Sequence, residues 1–259
     1  MEKLNRNRFQ TFFEEDKYIA LKNDLYNYLL RKRAIEKNIR SNEIKLILEI
    51  GSGISPVITR TKRIIYSDLS FTALRILRKK YLNGWHVVAD AMNLPFKAKV
   101  FSHTICSEVL EHLEDDIKAL NELSRVMKPS GQLVVSFPHR KCLFAIDDHY
   151  VNHFRRYEVG EIKSLLYAAG FKSLHVQKVL GPLDKLTMMV VVFSFWILQR
   201  MGKIGVKKTP KYNLLNVFIS FVIWFNRIYM GIVWLDAKIM PRAFSSVLMI
   251  KAQRNPRLG

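Results

Sequence analysis

Ile47-Leu48-Glu49-Ile50-Gly51-Ser52-Gly53-Ile54-Ser55-Pro56 is the stretch on which the fold is read. A short apolar run, of the kind that forms a strand buried on both faces, ends in a glycine turn. A proline follows, in a position suited to the first turn of a helix. Gly51 and Gly53 let the backbone turn sharply and approach a ligand closely. In open α/β sheets, ligands bind at the carboxyl ends of the strands, which is where this turn would sit.

Working outward, apolar strand-like runs recur at Leu46–Ile50, Ile64–Tyr66, Trp85–Ala89, His103–Cys106, Gln132–Phe137, Leu174–Val179 and Phe244–Lys251. The first five read as strands buried on both faces. Helix candidates lie at Val57–Thr61, Phe71–Leu82, Asp115–Met127 and Val159–Ala169, the last ending at Gly170. Such alternation predicts a Rossmann-like, doubly wound parallel sheet with right-handed crossovers.

The glycine turn alone does not choose a ligand. A dinucleotide fingerprint would place its third glycine where Pro56 stands. Glu49, two residues before the first glycine, would repel a pyrophosphate and suit a cationic ligand carrying an ammonium and a sulfonium. Asp68 ends the second strand, where an acid can accept from both ribose hydroxyls. Asp90 ends the third, where a carboxylate can accept from an adenine amino group. Three acids in register, in a chain with only 22 acids against 42 bases, read as a site rather than as loop decoration.

These pieces, with Asp90-Ala91-Met92-Asn93-Leu94-Pro95-Phe96, Ser107-Glu108-Val109-Leu110-Glu111-His112-Leu113 and Leu123-Ser124-Arg125-Val126-Met127-Lys128-Pro129-Ser130-Gly131, resemble the core of class I, UbiE-type S-adenosylmethionine-dependent methyltransferases. The resemblance spans residues 46–140. It implies a seven-stranded sheet with the last strand antiparallel and S-adenosyl-L-methionine as cofactor. It assigns Glu49, Gly51, Ser52 and Gly53 to the methionine part, Asp68 and Leu69 to the ribose, and Asp90 and Ala91 to the adenine. Ser107 and Glu108 would border the sulfonium. Ser55-Pro56, where many relatives carry a third glycine, is a departure.

Asp147-Asp148-His149-Tyr150-Val151-Asn152-His153-Phe154-Arg155-Arg156-Tyr157 falls on the substrate side of such a fold, and its HFRRY run resembles a bacterial methyltransferase subgroup. His149 and His153 are candidate general bases. Arg155 and Arg156 are candidate anion clamps, with His112 and Tyr157 as further substrate residues. The alternative is a lid whose His and Arg side chains pin the loop to the sheet. With no HExxH pattern and no Cys/His zinc spacing, no metal site is expected.

Between the sixth and seventh strands lies an apolar insertion, residues 183–243. Leu186 to Leu198 is a thirteen-residue charge-free run, short of the roughly 20 residues that span a bilayer. Tyr212 to Leu235 is longer but is interrupted by Arg227. A pair of helices lying in the membrane interface is therefore expected, with Trp196, Trp224, Tyr229 and Trp234 at headgroup level and Lys203, Lys207, Lys208 and Lys211 toward anionic lipid. A helical cap on the core or a dimer surface is the alternative. The chain thus divides into a basic helical segment (1–45), the cofactor-binding core (46–182), the insertion (183–243) and the final strand with its tail (244–259).

Composition agrees with a folded chain: 259 residues, 49% hydrophobic, 25% charged and a formal charge of +20. Such a field favours anionic partners: nucleic acid, an anionic membrane surface or a phosphorylated substrate, among which composition alone does not choose. The apolar insertion favours the membrane surface, with nucleic acid a lesser prospect. Two cysteines exclude a disulfide framework, and the polar start offers no secretory signal. The expectation is methyl transfer to an amphipathic or lipid- or glycan-linked small molecule at the cytoplasmic face of a membrane. RNA methylation and a non-catalytic scaffold of the same fold are the rivals.

Overall fold

The computed structural model describes residues 23–39, 46–201 and 212–256. The expected lysine cluster Lys203–Lys211 and most of the basic N-terminal segment lie outside the described residues.

A helix α1 (Tyr26–Asn38) precedes β1 (Ile47–Ile50), β2 (Ile64–Asp68), α2 (Phe71–Lys80), β3 (Trp85–Val88) and β4 (Phe101–Ser107). Then follow α3 (Asp116–Val126), β5 (Met127–Pro138), α4 (Ile146–Tyr150), α5 (Val159–Ala168), β6 (Phe171–Leu180), the long helices α6 (Pro182–Met201) and α7 (Tyr212–Ile239), and β7 (Val247–Arg254). The seven strands form one sheet in the order β3-β2-β1-β4-β5-β7-β6. β1 to β5 pair in parallel, and β7 runs antiparallel to both β5 and β6. The chain winds outward from β1 to β3, then returns to β4 on the other side. That reversal opens a crevice at the carboxyl ends of β1 and β4.

Both faces of the sheet are covered. Leu120, Leu123, Ile162 and Leu166, from α3 and α5, bury one face. Leu30, Ile35, Leu74, Leu77 and Val233, from α1, α2 and α7, bury the other. Local chemistry starts the helices: the Ser70 side chain accepts from the Ala73 amide at 3.2 Å, and Asp115 accepts from the Lys118 amide at 2.8 Å. Arg78, Lys79 and Lys80 close α2, where cations suit the helix dipole. Gly170 ends α5 at φ 84°, as expected of a C′ glycine.

Three expectations need correction. Val57–Thr61 is not helical. Its backbone groups find side-chain partners instead: Glu49 accepts from the Val57 and Ile58 amides, while the Tyr28 and Tyr66 hydroxyls donate to the Pro56 and Ile58 carbonyls. β3 is an edge strand, so Trp85 and Val88 are exposed rather than buried on both faces. Phe244 belongs to a 3₁₀ turn, and β7 begins three residues later.

Candidate functional site

The glycine turn sits at the carboxyl end of β1, with Gly51 at φ 65° and Gly53 at φ 51°. Both lie in the left-handed region that glycine enters without strain. A Cβ on Gly51 would overlap the Val109 side chain, so the segment after β4 closes directly over the turn. The Ser52 hydroxyl is buried there with no hydrogen-bond partner among the described residues.

The predicted acids arrive together at this edge. Glu49 is buried, and its two oxygens accept from Val57 at 2.5 Å and Ile58 at 3.1 Å. Burial pushes its pKa up to about 7, against the pull of those two amides. Both Glu49 oxygens thus hold the loop that follows the glycine turn, and the carboxyl shapes that loop from behind. Asp68 is half-buried; one of its oxygens accepts from the Gly53 amide and the other from the Ser70 amide, each at 2.8 Å. It ties the glycine turn to the end of β2, with Leu69 half-buried beside it. Asp90 accepts from the Met92 amide at 2.9 Å and is half-buried, as is Ala91.

At the end of β4, the Ser107 and Ser136 hydroxyls lie 2.9 Å apart, and Ser136 donates to Glu108 at 3.0 Å. Glu108 takes φ 54°, an unusual conformation for a non-glycine residue. Its other carboxylate oxygen lies 3.1 Å from the Arg31 guanidinium of α1. Arg31 is the residue that sequence reasoning missed. It belongs to a basic run that reads as a solvated face, yet it turns inward to the cofactor edge.

The HFRRY segment is spent on internal contacts. The Arg156 guanidinium is buried; it donates from Nε to both Asp148 oxygens, at 2.8 and 2.9 Å, and from Nη1 to the His139 and Ser246 carbonyls. Arg155 donates to Asp116 at 3.0 Å and to the Glu114 carbonyl at 2.9 Å. Tyr157 is buried and donates to Asp116 at 2.7 Å. The polar groups of Arg155, Arg156 and Tyr157 thus face acids and carbonyls of the chain, the arrangement expected of a segment pinned to the sheet. Lys185 of α6 completes the cluster, donating to Asp147 at 2.6 and 2.7 Å and to Asp148 at 2.9 Å. His153, Arg156 and Lys185 hold the Asp148 carboxyl well below the usual carboxylate range, more than offsetting its burial.

The two candidate bases separate. His149 is exposed on α4, its ring edge-on to Phe144. His153 lies beyond that helix, half-buried, with Nδ1 2.8 Å from Asp148 and its ring 4.7 Å from that of His112. His112 is also half-buried and meets the Asn152 carbonyl through Nδ1 at 3.3 Å. Glu111, next to it, is completely buried, and its pKa is pushed well above its ordinary 4.5 by burial and then by the charge of Glu108.

A doubly wound sheet with an antiparallel last strand, a glycine turn after β1 and acids ending β2 and β3 defines the class I methyltransferase fold. Residues 48–135 match the family model described as a methyltransferase domain. That stretch carries a methyltransferase domain, similar to those of class I S-adenosylmethionine-dependent enzymes. A probable S-adenosylmethionine-dependent methyltransferase of Mycobacterium tuberculosis is 28% identical over 156 residues, covering 57% of each chain. A demethylmenaquinone methyltransferase of Thermotoga maritima is 32% identical over 131 residues, 45% of this chain and 57% of that one. The chain spans about half the length of the curated relatives it matches. A solved S-adenosylmethionine-dependent methyltransferase of Thermotoga maritima, described as a possible histamine N-methyltransferase, shares the fold with a TM-score of 0.62 at 18% identity. It covers 96% of this chain and 99% of its own.

Proposed function

We propose that this chain transfers a methyl group from S-adenosyl-L-methionine to an amphipathic or lipid-linked acceptor, at a membrane surface that it touches with the outer sides of α6 and α7. One observation carries the second half of that reading. The inner side of α7 packs on the core through Val233 and Ala237, yet its outer side is apolar as well: Trp224, Phe225, Ile228, Ile232 and Leu235 are all exposed. Arg227 and Lys238 are exposed charges on the same helix, and an exposed apolar patch of this kind beside them marks an interaction surface. Among the described residues no helix is long and apolar enough to cross a membrane. A helix pair lying in the interface, drawn to anionic lipid by the +20 chain, fits both facts. The demethylmenaquinone methyltransferases among the relatives agree with a lipid-related acceptor.

The residues at the carboxyl edge suit the cofactor. S-Adenosylmethionine would supply an electrophilic methyl group on a sulfonium. Asp68 would hold the ribose hydroxyls, Asp90 and Ala91 the adenine, and the Gly51–Gly53 backbone the methionine part. The Arg31–Glu108 ion pair offers a cation and an anion to the carboxylate and ammonium of that amino acid. The protein's own task is chiefly alignment of acceptor and methyl, with proton removal if the acceptor is a hydroxyl.

Incubation of the chain with methyl-labelled cofactor, membranes and cytosolic extract tests the reading. Label is expected in the lipid-extractable fraction. Label confined to RNA or to water-soluble molecules, or no label at all, overturns it.

A further inference from the structure

We propose that Glu111, His112 and His153 form a binding site for one divalent transition-metal cation of the zinc type. Glu111 is the middle residue of the 3₁₀ turn Leu110–His112 just beyond β4, and its side chain has no exposure. Neither carboxyl oxygen has a hydrogen-bond partner among the described residues. A buried carboxyl in that position is costly unless something answers it. A proton alone would leave its own O–H and the second oxygen still unanswered. A cation between Glu111 and the two imidazoles answers both.

The histidines are already set up as ligands. His153 Nδ1 faces the Asp148 carboxylate at 2.8 Å, so that nitrogen donates and Nε2 carries the lone pair. That Nε2 lies 3.8 Å from Glu111 Oε1. His112 Nδ1 faces a backbone carbonyl, an acceptor only, at 3.3 Å, a contact that the same tautomer satisfies. Carboxylate and carbonyl supports of this kind are what metal-bound histidines have behind them. One donor atom from each of the three residues falls within 4.8 Å of the others. Metal–ligand bonds of roughly 2.0–2.2 Å put tetrahedral donors about 3.4 Å apart, so a small side-chain rotation closes the site. Two imidazoles and one carboxylate are a zinc-type donor set that leaves a coordination position open.

The proposal departs from the expectation that no metal binds. Its ligands come from two distant segments, so no local spacing pattern announces them. On the methyl-transfer reading, the open position would receive an acceptor oxygen beside the cofactor edge; that clause rests on the proposed function, whereas metal binding itself does not.

The test uses the full chain, stripped with chelator and titrated with Zn²⁺ by calorimetry, with metal content read by elemental analysis. One equivalent is expected, and Co²⁺ in its place should give visible ligand-field bands. Glu111→Gln and His153→Ala should each weaken binding at least tenfold, while His149→Ala should leave it unchanged. His112→Ala, at a half-buried position, serves if a buried variant fails to fold. Absence of a bound equivalent, or affinity unchanged in folded Glu111→Gln and His112→Ala, overturns the proposal. S-Adenosylhomocysteine binding, measured separately on the stripped chain, reports on the cofactor reading independently.

Discussion

Replacing Asp148 with Ala should unfold this protein more readily than any surface change. Asp147, Asp148, Arg156 and Lys185 form a cluster of two anions and two cations, each at most 6% exposed. Asp148 alone accepts from the Ala145 amide, His153, Arg156 and Lys185. Its removal leaves two buried cations facing one carboxylate. Breaking a buried pair by deleting one partner costs about 3–5 kcal/mol, a large share of the roughly 5–15 kcal/mol that holds a domain folded. Urea denaturation at pH 7, followed by circular dichroism, would read the loss as a lower midpoint at unchanged slope. The exposed Lys141–Glu161 pair is the comparison: Lys141→Ala should cost no more than about 1 kcal/mol. The same reasoning fixes a pH dependence. The Asp148 carboxyl is held below its ordinary 3.8, so its contribution is complete above that pH and is lost as the solution is acidified through and below it. A loss under 1 kcal/mol for Asp148→Ala at pH 7, or acid unfolding indifferent to Asp148, would refute the argument.

Other outcomes follow from the cofactor edge and the sheet. Gly51→Ala places a Cβ against Val109 at a positive φ and should cost roughly 1–3 kcal/mol, with partial recovery in combination with Val109→Ala; a neutral single variant contradicts the described closure. Asp68→Ala should weaken S-adenosylhomocysteine binding at least tenfold by calorimetry, and an unchanged Kd removes the ribose assignment. Ser130 is exposed at φ 60°, a conformation that costs a non-glycine residue about 1 kcal/mol, so Ser130→Gly should raise the urea midpoint slightly. A lowered midpoint would count against it.

Much of the fold was legible in local pattern. The strand runs, the glycine turn and the acids after β1, β2 and β3 are encoded in short stretches, so their order and placement could be read directly. What was not legible depends on partners far along the chain. Val57–Thr61 reads as a helix until Glu49, Tyr28 and Tyr66 are seen to take its backbone groups. Arg31 reads as solvated because nothing near it in sequence names Glu108 as its partner. The HFRRY arginines read either as anion clamps or as pins for a lid, and only the fold shows that Asp116, Asp148 and the carbonyls of His139 and Ser246 are their partners. Glu111 carries no signal beyond adjacency to His112; only burial distinguishes it.

Helix α1 reaches the cofactor edge twice, through Tyr28 at the Pro56 carbonyl beyond the glycine turn and through Arg31 at Glu108 beyond β4. A nucleotide pocket built this way is not the property of the Rossmann core by itself. Trimming the chain to a minimal α/β unit, as one would for a portable catalytic module, would strip away part of the scaffold that shapes its ligand loop. Chimeras that graft this core onto another leader should therefore carry residues 26–38 along with it.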